Sequence, residues 1–438
     1  MNLALSKSGF SLDRFARIYR VMTDSKPWRA ALDYCPMLVA VAMPWSTTAV
    51  LLIWVLWLFA IFPRLDRSFA DALRHPVSMS ALAMVGVAIL GVFWADGPWW
   101  PRIAAIGPTI KLLFLPLLFY HFQRSERANW VFIGFAASCT VLLAYSYVVY
   151  VYPTWRFTSA HGFDTTGVPV RNAIDQNQEF ALCAFGLAAS TIGMFHQRRY
   201  VAALTLVGLA ASFLANIAFV AFARTSLLYC VVLSLLFAWK FFSRRTATIV
   251  LMLLAISASA VWATSAYLRE RVEHIALEYQ QYRDTNRPTS AGQRLQYWSS
   301  SVEWIRQAPL IGHGTGSTKR LFNEAAAGKE GAWAQQIGNP HNQVLYIAIE
   351  WGSLGCIILF GMWLCHYQFF RADGLTAWIG TIVVVQNVLS SMLNSHLFDF
   401  AEGWIYVAGV GVAAGSVSRR ETPQKDLLPA PSRSATQQ

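Results

Sequence analysis

"ALDYCPMLVAVAMPWSTTAVLLIWVLWLFAIF", Ala31 to Phe62, runs for 32 residues with Asp33 as its single charge. An α-helix needs about 20 apolar residues to cross a hydrocarbon core about 30 Å thick. The run is therefore too long for one straight span and barely long enough for two, and its only interruption is the turn-like "MPWSTT". Read as two spans joined by a tight turn, it makes the chain polytopic. The rest agrees: of 438 residues, 55% are apolar and 13% charged, where soluble domains carry roughly 25% charged residues. Twelve apolar stretches stand out, near 29–46, 47–63, 77–94, 103–121, 128–152, 179–195, 201–222, 225–241, 248–267, 341–365, 375–393 and 401–418. The expected fold class is an all-α polytopic membrane protein of about twelve transmembrane helices with one large, mostly helical outside loop.

Orientation follows from Lys and Arg. With the N-terminus inside, the inside segments hold 21 of the 35 basic residues, and nine of the other fourteen lie in the long loop. Long loops cross regardless of charge, so both termini are expected on the cytoplasmic side. The net charge of +12 then reads mostly as topology. A nucleic-acid partner is excluded, because no soluble domain exists to present a basic, aromatic-studded face. All six cysteines fall inside expected spans, which argues against a disulfide framework or a CxxC metal site.

Four regions follow. Residues 1–267 carry nine spans, preceded by "SLDRFARIYRVM", whose apolar spacing against arginines suggests a helix on the inner leaflet. The first thirty residues lack the apolar core of a cleavable signal, so the first span is expected to be an uncleaved anchor. Residues 268–340 form the outside loop, 341–418 the last three spans, and 419–438 a Pro-, Ser- and Gln-biased tail expected to be disordered. Within the loop, Val272, Ile275 and Tyr279 share a helical face, as do Leu295, Trp298, Val302 and Ile305 before the stop at Pro309. Such helices are expected to rest their apolar faces on the membrane domain as a lid.

Polar residues placed at span ends are the candidates for chemistry. In "NPHNQVLYIAIEWG", Asn339 is the expected N-cap, with Pro340, His341 and Asn342 in the first turn. A helix N-terminus keeps imidazole neutral and favours anions, so His341 suits a general base; the alternative is a histidine merely hydrogen-bonded at an interface. Arg224 interrupts the apolar run from Val201 to Ala238, and an intramembrane charge is a functional hypothesis by default. Its fork suits a diphosphate, with a snorkelling anchor as the other reading. Arg294 in the loop helix and Arg171 in "GVPVRNAIDQNQEFAL" are set to close on the same phosphate, or else are solvated loop arginines. Lys111, inside "GPTIKLLFLPLL", reads equally as a lipid-phosphate contact or a buried ion-pair member. Glu350, nine residues after His341, turns to the opposite helix face and is expected to pair with a polar group on a neighbouring helix. His396 and Asp399 in "NSHLFDFAEG" read either as supports of the site or as caps, and His313 in "GHGTG" as a loop residue beside flexible glycines. There is no Walker loop, no GxGxxG after a strand, no HExxH and no paired-aspartate motif for Mg²⁺. No cofactor or metal is expected, so the energy must arrive with the substrate.

These pieces together resemble the O-antigen ligase superfamily, membrane glycosyltransferases that include lipopolysaccharide O-antigen ligases, O-antigen polymerases and protein O-oligosaccharyltransferases. The matching segments are "ARTSLL" around Arg224, "RLQYWSSSVEWIRQAPLIGHGTGS", and "PHNQVLYIAIEWGSLG" with His341, Asn342, Leu345, Glu350 and Gly352; they span roughly Gln178 to Trp404. The resemblance implies transfer of a glycan from undecaprenyl diphosphate to an acceptor hydroxyl on the periplasmic side of the bacterial inner membrane. For a ligase, the acceptor is a sugar of lipid A–core. It further implies that His341 deprotonates that hydroxyl while Arg224 and Arg294 hold the diphosphate, with inversion at the anomeric carbon. Membrane lipids are the remaining partner and a monomer is expected. The short tail argues against an oligosaccharyltransferase. Arginines followed eleven residues later by glycine, as in some polymerases, occur at Arg156 and Arg320 at a frequency chance supplies. A secondary transporter or a lipid-linked sugar flippase is the reading from another class; neither two related six-span halves nor a polar cavity through both leaflets is visible.

Overall fold

The computed structural model describes residues 25–156, 166–221, 223–264, 266–285, 289–329 and 337–421. The inner-leaflet segment around "SLDRFARIYRVM" and the tail beyond residue 421 lie outside them. Among the described residues the chain is helical, without a strand. In chain order the main helices are α1 Lys26–Ala42, α2 Thr47–Ile61, α3 Pro76–Leu90, α4 Trp99–Phe122 (interrupted near Gly107–Leu113), α5 Ala128–Val151, α6 Ala173–His196, α7 Tyr200–Phe219 and α8 Arg224–Phe241. They continue with α9 Arg244–Thr264, α10 Ala266–Thr285, α11 Ser290–Gln307, α12 Ser317–Ala326, α13 Gln343–Phe369, α14 Leu375–Ser390 and α15 Phe400–Glu421.

Each of the twelve apolar stretches overlaps one of these helices. The opening run divides as its turn suggested: α1 ends at Ala42 and Ser46 caps α2, accepting from the Ala49 N–H at 3.2 Å. Seven helices among the described residues are long and apolar enough to cross a membrane: α2, α4, α5, α6, α7, α13 and α15, with α2 extended to Arg64. Three more apolar helices, in α3, α8 and α14, are shorter than 18 residues. Burial separates centre from rim. The apolar window of α15 is 83% enclosed by protein, whereas those of α2 and α7 are 22% and 28% enclosed. The outward faces, with Leu52, Leu56, Phe59, Val201 and Leu204 exposed, carry the side chains a lipid core tolerates.

The two ends of the bundle differ. At one end Asp33 receives Arg127 at 3.1 Å and contacts His121 at 3.0 Å, the Tyr120 hydroxyl donates to the Arg64 carbonyl, and Arg419 meets Glu126 at 3.1 Å. This end collects basic side chains. The opposite end gathers the N-termini of α6, α13 and α15, the C-terminus of α3, and the helices α11 and α12.

The amphipathic reading of α11 needs a correction. Of the expected stripe Trp298 and Ile305 pack inward, but Leu295 and Val302 are exposed, whereas Tyr297 and Ser301 are buried and Trp304 packs beside them. The inward stripe is rotated because Tyr297 and Trp304 both close edge-on against Phe322 of α12; aromatic area outweighs the aliphatic spacing. For α10 the side chains of Val272 and Ile275 lie outside the described residues, and Tyr279 is exposed.

Candidate active site

A broken helix builds this end. In α13 the backbone leaves helical geometry at Gly352, with φ 59° and ψ −153°, which frees carbonyls before the break and N–H groups after it. The glycine turn takes both sets. His313 and Gly314 donate to the Ile349 and Glu350 carbonyls at 2.8 Å each, and Ser353 and Leu354 donate to the Pro309 and Leu310 carbonyls at 2.8 and 3.1 Å. Irregular backbone survives in such a bundle only when protein satisfies it. The crossing is tight: a Cβ on Gly352 would lie 2.5 Å from the Leu310 carbonyl carbon, and one on Gly312 2.5 Å from that of Glu350. His313, expected beside flexible glycines, is instead clamped, its Nε2 2.9 Å from the Trp304 carbonyl. Glu350 faces away from His341 and accepts the Gly316 N–H at 3.0 Å, holding the start of α12.

His341 lies just before α13, not within its first turn. The cap is Asn342, whose Oδ1 accepts from Val344 and Leu345 at 3.0 and 3.1 Å while its Nδ2 donates to the Met392 carbonyl at 2.9 Å. Asn339 uses its Oδ1 on the His341 N–H at 2.8 Å and on the Ser395 hydroxyl at 2.6 Å. The helix start slides forward because Asn339 is committed to this turn. His341 is left with φ 53°, a left-handed conformation that costs about 1–3 kcal/mol and persists only where neighbours over-determine it.

The neighbours are identifiable. His341 Nδ1 is 2.8 Å from Asn394 Oδ1, which accepts. The Tyr297 ring stacks at a centroid distance of 6.4 Å, and Trp298 Nε1 donates to the Pro340 carbonyl at 3.1 Å. Burial holds the His341 imidazole below its ordinary value; the bond to Asn394 opposes this and the Arg294 guanidinium of α11 adds to it. The same guanidinium acts on His396, whose imidazole burial pushes down to about 3. The Arg294 guanidinium is therefore near enough for its charge to act on both histidines.

Arg171 is the second left-handed side chain here, at φ 58°. Its guanidinium lies 3.7 Å from Asp175, yet Nη1 and Nη2 are buried without a hydrogen-bond partner. With Asp175, Asn394, Asp399 and Glu402 it lines an open cavity of about 450 Å³, which Asn394 connects to His341. Lys111 is buried and donates to the Phe398 and Asp399 carbonyls at 3.0 and 2.5 Å, so it holds the turn that carries His396. Burial raises the Asp399 carboxyl against the pull of Lys111. Arg224 is the first residue of α8, and its side chain lies outside the described residues. Its backbone belongs to this end, because Asn177 of α6 donates to the Ala221 carbonyl at 2.6 Å.

Four partners escaped the sequence reading: Asn394, Gln178, Tyr297 and the turn-forming role of Asn339. Only Asn394 carried a signal, as a polar residue two before His396 in an apolar stretch. A neutral imidazole with one nitrogen satisfied, beside a fixed cation and a cavity holding unsatisfied guanidinium donors, is equipped to take a proton from a hydroxyl while an anion is held.

Residues 209–360 match the family model for O-antigen ligase. They include Arg224, Arg294, the glycine turn, His341 and the break at Gly352. No curated protein matches the chain.

Proposed function

We propose, for a chain that carries an O-antigen ligase region and so falls in that superfamily, that it transfers a glycan from undecaprenyl diphosphate to a sugar hydroxyl of lipid A–core. The observation that carries this reading is His341 Nδ1 held 2.8 Å from Asn394 Oδ1 with Arg294 alongside. With Nδ1 donating, the Nε2 lone pair is free to remove the acceptor proton. The acceptor oxygen then attacks the anomeric carbon, the bond to the diphosphate breaks, and the configuration inverts.

Arg294 and Arg224 take the diphosphate in this reading, and Arg171 meets it with the two donors that lack partners. Fixed guanidiniums stabilise charge developing on the leaving phosphate without a metal, since they need no reorganisation as the bond breaks. Asn342, Glu350, Lys111 and His396 support the site through the contacts described. The basic end of the bundle faces the cytoplasm of the inner membrane and the His341 end the periplasm, with twelve spans and residues 268–340 as the lid.

The test uses purified full-length chain, lipid-linked glycan and lipid A–core, without nucleotide and with a chelator. A glycolipid of raised mass supports the reading, elongated lipid-linked glycan replaces ligase by polymerase, and glycosylated peptide replaces it by oligosaccharyltransferase. Absence of all three products from a folded, donor-binding protein overturns it.

A further inference from the structure

The bonds around His341 continue into the protein. Asn394 Nδ2 lies 3.1 Å from His396 Nε2 and Gln178 Nε2 lies 2.8 Å from His396 Nδ1, so both amide nitrogens face the same ring. Gln178 is itself fixed, since Gln386 donates to its backbone carbonyl at 2.8 Å. Gln178 and His396 are almost wholly buried, so no solvent competes for these positions.

Proton counting constrains this chain. A neutral imidazole has one N–H and one acceptor nitrogen, so Asn394 and Gln178 cannot both donate to His396. One of the two amides must therefore be turned over, presenting its oxygen in place of the nitrogen that faces His396. If it is Gln178, His396 carries its proton on Nδ1, Asn394 donates to Nε2 and points its oxygen at His341, and His341 carries its proton on Nδ1. If it is Asn394, every bond reverses: His396 carries its proton on Nε2, Asn394 donates to His341 Nδ1, and the His341 proton moves to Nε2. The two tautomers are locked together. Only the first arrangement leaves Nε2 of His341 as a base.

We propose that His396 is a positioning residue that selects the base-competent tautomer of His341 by fixing the Asn394 amide. This rests on the reading of His341 as the base. His396 touches no substrate; it acts through Asn394. The charged groups around the pair are Arg294 from α11, then Arg171, Asp175, Asp399 and Glu402 along the adjoining cavity.

Four variants of the full-length chain in lipid nanodiscs test it, with lipid-linked glycan and lipid A–core as substrates. His396→Leu frees the amide and is expected to lower kcat about 10- to 100-fold, by analogy with the loss on removing the partner that orients a metal-ligating histidine, with donor KM unchanged. His396→Gln offers a carbonyl oxygen to Asn394 Nδ2 and is expected to restore kcat to within about threefold. Asn394→Asp accepts from Nδ1 whatever His396 does, so it rescues His396→Leu in the double variant. Its carboxylate raises the imidazole, moving the acid limb of the rate profile to higher pH. Nitrogen-15 spectra of histidine-labelled protein read the proton position on His341 directly. Unchanged kcat and an unchanged His341 signature in His396→Leu overturn the proposal. So does a loss that neither His396→Gln nor Asn394→Asp repairs. Full activity in His341→Ala is a different failure, which removes the base itself.

Discussion

At the scale of single residues, His341 and Arg171 combine left-handed backbone with half-buried polar side chains, and both sit where His396 and Asp399 turn the chain into α15. Because burial and Arg294 keep the His341 imidazole below its ordinary value of 6.5, it stays neutral at neutral pH. Transfer is expected to be flat from about pH 8 to 6.5 and to decline only below that range; an acid limb centred above pH 7 contradicts the base role. His341→Ala is expected to abolish transfer while donor binding, measured on labelled lipid-linked glycan, changes by less than about threefold. Replacing Arg294 by Ala is expected to weaken donor binding by about 10- to 100-fold, with Lys recovering only part because it cannot offer the fork. His396 also makes a stability prediction. Its imidazole is pushed down to about 3 when folded and titrates near 6.5 when unfolded, so the unfolded chain binds the extra proton. Stability is fully present above about pH 6.5 and drains as pH falls toward 3. His396→Gln should therefore lose less melting temperature on acidification than the parent.

At the scale of elements, the crossing of the glycine turn with the break in α13 decides where His341 points. Gly352→Ala places a Cβ 2.5 Å from backbone at φ 59°. It is expected to lower the melting temperature by several degrees, since a strained backbone substitution costs more than about 1 kcal/mol, and to remove activity with it. Gly361 of the same helix has nothing within 4 Å of a Cβ. Gly361→Ala is therefore expected to be neutral or slightly stabilising, and tryptophan-fluorescence melting in detergent separates the two. The spacing of α11 found Trp298 and Ile305 of its inward face but misplaced Leu295 and Val302, for a reason that belongs to this scale. Periodicity finds an apolar stripe, but Phe322 determines which side is covered, and it arrives from another helix.

At the scale of the whole molecule, the basic end and the His341 end lie on opposite ends of the same helices. A cysteine placed at Glu126 and another at Ser299 of α11 are expected to label from opposite sides of the membrane with an impermeant maleimide. Ser299→Cys should react in spheroplasts and Glu126→Cys only after lysis. Labelling of both from one side would remove the proposed orientation. The central position of α15 places a polar centre at the His341 end. It is enclosed by α4 and α14, and its first turn carries Glu402 into the cavity that Arg171 and Asn394 share.

The sequence by itself determined the helices and their polarity pattern, because lipid demands about 20 uncharged residues per crossing and tolerates charge only where it is held or functional. That is why the division of the Ala31–Phe62 run and the stop before Pro309 were legible, and why His341, Arg224, Arg294 and Arg171 stand out as candidates. What only the tertiary structure decided is which polar groups meet. Gln178 and His396 are 218 positions apart and His341 and Asn394 are 53 apart. The cap moved from Asn339 to Asn342 because Ser395, far along the chain, engages the same oxygen. Hydrogen bonds are satisfied in space, and no local periodicity encodes a partner that another helix delivers.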